Sequence, residues 1–106
     1  MDIMVKELND ATFTAETGNG LSLVDFWAPW CGPCRMQGPV IEQVAAEVGD
    51  SVKVAKMNVD ENQGVAAQLG IMSIPTMLVI KDGQIKETLV GYHPKEQLMA
   101  ILGKYM

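Results

Sequence analysis

The sequence predicts an α/β fold in which a central mixed sheet of five strands is flanked by four helices, in the order β-α-β-α-β-α-β-β-α. Short apolar runs alternate with stretches of helical periodicity, a pattern typical of strands joined by crossover helices on both faces of a sheet. The last two apolar runs are separated only by the turn at residues 81–84, which indicates an antiparallel hairpin. No linker, repeat or low-complexity tract divides the 106 residues, so we expect a single domain over residues 1–106.

The first predicted strand and helix lead to the strand at the centre of the sheet. Residues 4–8 are expected to form a short strand, after which Asn9 or Asp10 caps a helix that contains Phe13. A glycine-rich break follows this helix. Residues 21–27 are apolar at most positions, which is typical of a central strand buried on both faces.

The longest predicted helix begins at Pro33 and ends at Gly49, because glycine commonly terminates helices. Pro39 lies inside this helix and is expected to kink it. Apolar residues recur at every fourth position, which predicts a single buried face. The residues assigned to that face are Met36, Val40, Ile41, Val44, Ala45 and Val48.

Strands and helices continue to alternate in the second half of the chain. We predict a strand over residues 52–59, a short helix over 62–69, two hairpin strands over 76–80 and 85–90, and an amphipathic helix over 94–105. The hairpin places an antiparallel edge on an otherwise parallel sheet.

Composition and charge exclude several classes of function. The net charge of −5 and the scattered positions of the eight Lys and Arg residues argue against nucleic-acid binding, which needs a basic surface. No apolar run approaches the roughly 20 residues needed to cross a bilayer, so we expect no membrane segment. Residues 1–7 lack the features of a secretion signal, and the two cysteines are too close together to form a disulfide framework. We therefore expect a cytoplasmic protein.

The segment Trp30-Cys31-Gly32-Pro33-Cys34 contains both cysteines of the chain, between a predicted strand and a predicted helix. The N–H groups and partial positive charge at a helix start favour a thiolate over a thiol. Cys31 is expected to lie nearer to solvent and to attack, and Cys34 is expected to be more enclosed and to resolve the product. Attack by one sulfur and displacement by its neighbour is dithiol–disulfide exchange.

The two residues between the cysteines bear on the direction of that exchange. Gly32 and Pro33 offer no ionisable group to stabilise a thiolate, which favours the reducing end of the scale of disulfide potentials. A zinc half-site is the alternative interpretation of the paired cysteines. Tetrahedral zinc needs four ligands, and the chain adds only His93 to the cysteines, so we expect no metal.

Five segments of the chain closely resemble the thioredoxin family, and the resemblance extends along nearly the whole length. They are residues 24–34, 56–60, 74–76, 82–83 and 90–91, of which Trp-Cys-Gly-Pro-Cys and Ile-Pro-Thr are the most specific. The resemblance implies the thioredoxin fold and a protein-disulfide reductase with no bound cofactor beyond its dithiol. It also implies disulfide-containing client proteins and recharging by thioredoxin reductase, which draws on NADPH. We expect a monomer.

The resemblance also assigns roles to residues outside the motif. Asp25 lies in an apolar strand, where a buried carboxylate is costly, and the resemblance makes it the proton acceptor for Cys34 with Lys56 as its charge partner. The Ile74–Pro75 bond is implied to be cis and to lie against the dithiol, with the backbone of Ile74 pairing with an extended client.

Apolar and turn residues around the motif are expected to complete a docking surface. Trp30 shields the site and contacts partners, and Val90 and Gly91 extend the surface formed by Gly32, Pro33 and Ile74. We expect Trp27 to belong to the core. We expect His93, just before Pro94, to cap the last helix or to lie in solvent.

Two other functions fit the same fold. An oxidase or isomerase is disfavoured by Gly-Pro between the cysteines, and a non-enzymatic docking subunit would not need an intact dithiol. The chain departs from the most familiar bacterial sequences of the family at residues 35–36, 72–73 and 92–93. These positions flank the active surface and bear on partner preference.

Overall fold

A five-stranded mixed sheet lies at the centre of the structure, a computed structural model that describes residues 4–106. The strand order across the sheet is β1-β3-β2-β4-β5. Strands β1, β2 and β3 run parallel to one another, β4 is antiparallel to β2, and β5 is antiparallel to β4. The strands are β1 (Lys6–Glu7), β2 (Leu21–Trp27), β3 (Lys53–Asn58), β4 (Thr76–Lys81) and β5 (Gln84–Val90).

Four α-helices connect or follow these strands within residues 4–106: α1 (Phe13–Thr17), α2 (Gly32–Val48), α3 (Gln63–Gln68) and α4 (Lys95–Gly103). A short 3₁₀ turn, Gly49–Ser51, follows α2. The order of elements is β-α-β-α-β-α-β-β-α, so the predicted fold class is confirmed. β1 is shorter than the strand predicted over residues 4–8.

The sheet separates two hydrophobic cores because alternate residues of each strand point to opposite faces. One core lies between the sheet and helices α2 and α4, and includes Leu23, Val54, Met77, Ile41 and Leu98. The other lies on the side of α1 and α3, and includes Val24, Phe26, Met57, Leu78 and Phe13. Six of the seven residues of β2 are buried, which confirms the prediction of a central strand.

Four of the six residues assigned to the buried face of α2 are buried, namely Ile41, Val44, Ala45 and Val48, but the other two are not. Met36 is 62% exposed and Val40 is only half-buried. A spacing of four residues drifts by about 40° per step around a helix of 3.6 residues per turn, so it cannot keep to one face. The buried side alternates steps of three and four residues, through Cys34, Gln37, Ile41, Val44 and Val48.

Turn residues end the elements where the sequence indicated. Gly49, with φ of 55°, follows the last residue of α2. Asp82 and Gly83 have φ of 50° and 84°, the positive values that a tight two-residue hairpin turn requires. Because glycine tolerates positive φ without steric cost, both glycines fit the backbone found there.

Of the two residues predicted to cap the first helix, Asn9 lies at that position and Asp10 caps a different helix. The side chain of Asn9 accepts hydrogen bonds from the N–H groups of Ala11 and Thr12, so it caps the turn before α1. The carboxylate of Asp10 caps α3 instead, accepting hydrogen bonds from Gly64 N at 3.0 Å and Val65 N at 2.9 Å.

Within residues 4–106, no helix combines the length and the apolar character that a bilayer crossing demands.

Candidate active site

The two cysteines lie where the chain passes from β2 into α2. Cys31 is the N-cap of the helix, with φ −88° and ψ 117°, and Gly32 and Pro33 form its first turn. Proline is favoured there because the first N–H groups of a helix have no partner within it. The sulfurs of Cys31 and Cys34 are joined in a disulfide, with 5.3 Å between the Cα atoms, so the structure represents the oxidised form.

The helix start supplies a hydrogen-bond donor to the first sulfur. The backbone N–H of Cys34 donates to Cys31 Sγ at a distance of 3.2 Å. This is the position of an N-cap acceptor, with sulfur in place of the usual oxygen. Together with the partial positive charge of the helix N-terminus, this donor favours negative charge on Cys31 in the reduced form.

The predicted difference in exposure between the two cysteines is wrong for this form. Both are 5% exposed, because the disulfide holds them together against Ala28 and three half-buried side chains. Those side chains are Trp27, Val59 and Ile74. Position distinguishes the cysteines instead: Cys31 caps the helix, whereas Cys34 lies inside it and lines a cleft that also contains Asp25.

Asp25 is a buried carboxyl group on β2. It is 3% exposed, and within residues 4–106 its Oδ1 atom has no hydrogen-bond partner. Burial disfavours the charged form and raises the pKa of Asp25 to about 7, against a smaller lowering by the charge of Lys56. The carboxyl group therefore changes protonation near neutral pH.

Lys56 is the neighbour of Asp25 in the parallel pairing of β2 with β3. The two side chains belong to the described part of the chain and form no ion pair within 4.0 Å. The Lys56 Nζ atom instead lies 5.4 Å from the centre of the Trp27 ring, a cation–π distance. Lys56 therefore acts on Asp25 through space.

A cleft of about 330 Å³ connects these groups. Asp25, Cys34 and Lys56 line it together with Trp27, Ala28, Pro29, Arg35 and Gly38. A volume of this size has room for several water molecules, each of which occupies about 30 Å³ in the liquid. The cleft therefore has room for water between Cys34 and Asp25.

Trp27 lines this cleft and packs against the small core cluster of Ala28, Cys31 and Cys34, so its predicted place in the core is confirmed only in part. The residue is half-buried, and within residues 4–106 its buried Nε1 atom has no hydrogen-bond partner. Trp27 and Asp25 lie on the same face of β2 because they are two residues apart. The indole N–H, like the carboxyl oxygen of Asp25, is a polar atom that water in the cleft could satisfy.

The loop before β4 lies against the dithiol. Ile74 packs on the cluster formed by Ala28, Cys31 and Cys34, and the Ile74–Pro75 peptide bond is cis, as predicted. Gly91 N donates to Pro75 O at 2.8 Å, which ties the end of β5 to this loop. The structure therefore brings Ile74, Pro75, Val90 and Gly91 to the same end of the sheet as the cysteines.

Exposed apolar side chains surround this end of the molecule. Trp30 is 66% exposed, and its indole N–H donates to Asp60 Oδ2 at 2.9 Å. Four other large apolar side chains are exposed, and they lie in the sequence close to the cysteines, to the loop before β4 or to the end of β5. We call the five together the apolar rim: Trp30, Met36, Met72, Val90 and Tyr92.

Comparison with known proteins gives the family. The family model described as Thioredoxin matches residues 4–104 of this chain. The chain is similar to a protein named thioredoxin from Listeria monocytogenes, with 54% identity covering 97% of this chain and 100% of the relative. It is also similar to thioredoxins from Bacillus subtilis (51% identity) and Staphylococcus aureus (45% identity), each covering 96% of this chain and 98% of the relative.

The chain belongs to the thioredoxin family.

Members of the thioredoxin family are oxidoreductases that act on disulfides, and the Cys31–Cys34 disulfide gives this chain the redox-active pair of the family. Thioredoxins need no prosthetic group for this chemistry. Within residues 4–106, no group of three or more His, Cys, Asp or Glu side chains is placed to hold a metal ion.

Sequence reasoning missed one residue near this thioredoxin site. Gln37 is fully buried, one helical turn after Cys34, and its amide bonds the backbone of His93 twice: His93 N donates to Gln37 Oε1 at 2.8 Å, and Gln37 Nε2 donates to His93 O at 2.9 Å. The sequence contained one indication of this role, because Gln37 is a polar residue four positions before Ile41, on the apolar side of α2. His93 is therefore held against α2, not in solvent, and Pro94 is the N-cap of α4.

Proposed function

We propose that the chain reduces disulfides of client proteins by the attack of Cys31 and the resolution of the mixed disulfide by Cys34. The observation that carries this proposal is the hydrogen bond from Cys34 N to Cys31 Sγ at the start of α2 in a chain of the thioredoxin family. This donor and the helix N-terminus favour a thiolate on Cys31, which is the nucleophilic form of the thiol.

In the first step, the Cys31 thiolate attacks one sulfur of the client disulfide. A Cys31–client disulfide forms, the client S–S bond breaks, and one client sulfur leaves as a thiolate. That thiolate takes a proton from solvent. Gly32 and Pro33 shape the first turn of α2 so that the sulfur lies at the helix end without a second ionisable partner.

In the second step, Cys34 attacks Cys31 Sγ and the second client sulfur leaves. The proton of the Cys34 thiol passes to the Asp25 carboxylate through water in the cleft that both residues line. A pKa of about 7 suits Asp25 to this transfer, because the group accepts and releases a proton near neutral pH. Lys56 limits the rise of that pKa. The second client sulfur leaves as a thiolate and takes a proton from solvent, and Asp25 returns its proton to the water in the cleft. The client has then gained two electrons and two protons, and Cys31 and Cys34 have become a disulfide.

The clients are proteins that present an apolar, extended segment next to their disulfide. The apolar rim offers side-chain contacts, and the backbone of Ile74 beside Pro75 offers hydrogen-bonding groups to a client strand. Exposed apolar groups clustered in one region usually mark an interaction site. Val90 and Gly91 extend this surface through the Gly91–Pro75 hydrogen bond.

The remaining features of the function follow from the family and the composition. The dithiol is regenerated by thioredoxin reductase at the expense of NADPH, and the chain acts as a monomer in the cytoplasm, where thiols are kept reduced. We propose one domain over residues 1–106. Nucleic acid and membrane are not partners, consistent with a net charge of −5.

Reduction of insulin with dithiothreitol as the electron source tests the proposal. The wild-type chain should accelerate reduction, and Cys31→Ser should abolish the acceleration. Glu42→Gln, an exposed change on α2, is the matched control and should keep full activity. A reduction potential for Cys31–Cys34 in the range of strong oxidants, or an active Cys31→Ser variant, would contradict the assignment.

A further inference from the structure

A continuous set of hydrogen bonds connects the helix of the reactive cysteines to the loop of Pro75. Gln37 on α2 bonds both the N–H and the carbonyl of His93. The Nδ1 atom of His93 lies 2.8 Å from the carbonyl oxygen of Gly91. Gly91 N in turn donates to Pro75 O at 2.8 Å.

The hydrogen bonds of Gln37 are unusual because both join a buried side-chain amide to the backbone of a loop that is distant in the sequence. The side chain is 0% exposed, and an amide left without hydrogen-bond partners in such a place would destabilise the fold. The two bonds satisfy one donor and one acceptor of the amide with the two polar groups of a single residue, 56 positions away. The loop at residues 91–93 is thus held to α2 in one register.

From this arrangement we propose that Gln37 is a positioning residue for client recognition, which sets the spacing between α2 and the loop at residues 91–93. The inference rests on the proposed function, because it concerns how a client reaches Cys31. Gln37 itself touches neither sulfur. It fixes the Val90–Gly91 side of the docking surface against the cysteine helix, so that a protein client meets a preformed site.

Replacement of Gln37 by Met tests this role, because Met has similar volume and removes both hydrogen bonds. We expect kcat/KM for insulin reduction to fall about tenfold through a higher KM. A tenfold change corresponds to about 1.4 kcal/mol of free energy of client binding. Reduction of a small aryl disulfide, which makes little use of the loop, should change by less than about twofold. Gln43→Met places the same substitution on an exposed position of α2 and should change neither rate.

Replacement of Gln37 by Glu provides a rescue that a purely structural role would not show. A protonated carboxyl group can donate to His93 O and accept from His93 N as the amide does, and burial raises the pKa of such a group. The insulin-to-aryl-disulfide rate ratio of Gln37→Glu should match that of the wild type at acid pH and fall as the carboxyl group ionises. The ratio for the wild type, measured at each pH, corrects for pH effects that do not arise at residue 37.

Several outcomes of these experiments would contradict the proposed role of Gln37. An equal loss on both disulfides in Gln37→Met would show that Gln37 acts on the cysteines, and no loss on either would show that the loop needs no such anchor. Either result overturns the inference. If Gln37→Met fails to fold, a pH-independent ratio in Gln37→Glu overturns it as well. A wild-type chain inactive on both substrates would instead refute the proposed function.

Discussion

At the scale of single residues, Asp25 is a group whose protonation we expect to change near neutral pH. Its carboxyl group is buried on β2 and its pKa is raised to about 7, first by burial, with Lys56 opposing the shift. The fold therefore keeps in place a group that would be more stable in water. Asp25 lines the same cleft as Cys34, which is the arrangement that the proposed proton transfer requires.

Replacement of Asp25 by Asn should stabilise the oxidised protein at neutral pH. Below pH 3.8 the carboxyl group is protonated in both states and costs nothing. Between 3.8 and about 7 the unfolded chain loses this proton while the folded chain keeps it, so the free energy of unfolding falls as pH rises, and the loss saturates above 7. The gain for Asn at pH 8 should approach about 4 kcal/mol, at 1.36 kcal/mol for each pKa unit.

Urea unfolding of both oxidised proteins between pH 4 and pH 9 measures that difference. The two curves should converge at acid pH, and the Asn variant should also resolve mixed disulfides more slowly. A variant that is less stable than the wild type and fully active would contradict both roles of Asp25.

The two cysteines should differ in the complexes that they trap. Cys34→Ser leaves the attacking thiolate at the helix N-cap but removes the resolving thiol, so mixed disulfides with clients should accumulate. Cys31→Ser should trap few clients. Non-reducing gel electrophoresis after exposure to an oxidised client protein measures the trapped complexes. Equal trapping by the two variants would contradict the assigned roles of attacking and resolving cysteine.

At the scale of elements, helix α3 depends on a residue far away in the sequence. Its own N-cap, Asn62, makes no side-chain capping bond, whereas Asp10 accepts hydrogen bonds from Gly64 N and Val65 N. Asn62 Oδ1 returns a bond by accepting from Asp10 N at 3.0 Å. The segment before α1 and the start of α3 therefore stabilise each other.

Replacement of Asp10 by Ala should lower the free energy of unfolding by about 0.5–2 kcal/mol, the usual cost of losing a helix cap. Chemical denaturation measures the loss, and hydrogen exchange should locate it at the amides of Gly64 and Val65. Asp50→Ala, at an exposed site, is the matched control and should change the stability little. Unchanged exchange at α3 would show that the cap is not needed.

At the scale of the whole molecule, one hydrophobic core lies on each face of the sheet, and the helices pack against the sheet through these cores. Leu98 belongs to the core under α2 and α4, and Leu78 to the core under α1 and α3. Both side chains are fully buried. Because β2 and β4 contribute to both cores, loss of either core should unfold the entire sheet.

Leu98→Ala and Leu78→Ala should each destabilise the protein by about 2–5 kcal/mol, the cost of a cavity in a packed core. Unfolding followed by tryptophan fluorescence and by far-ultraviolet circular dichroism should give coincident transitions in both variants, as expected for one cooperative domain. Ile85→Ala, an exposed position on β5, serves as the control. Separate transitions for the two probes would contradict the proposal of one domain.

The sequence by itself determined the features that depend on local order. The periods of apolar residues, the glycine after α2 and the Asp82–Gly83 turn predicted the element order, because each requires only residues that are neighbours along the chain. The spacing of Cys31 and Cys34 between a strand and a helix predicted the chemistry for the same reason. Resemblance to a family then added Asp25, Lys56 and the loop of Pro75.

Only the tertiary structure decided which distant groups meet. The four-residue spacing on α2 placed Met36 inside together with Ile41, whereas the folded helix buries Ile41 with Cys34 and Gln37 and leaves Met36 exposed. The anchoring of His93 by Gln37 and the capping of α3 by Asp10 join residues more than fifty positions apart. Such pairs leave no period in the sequence, because a polar side chain buried by folding is satisfied by whichever backbone groups the fold brings within hydrogen-bond distance.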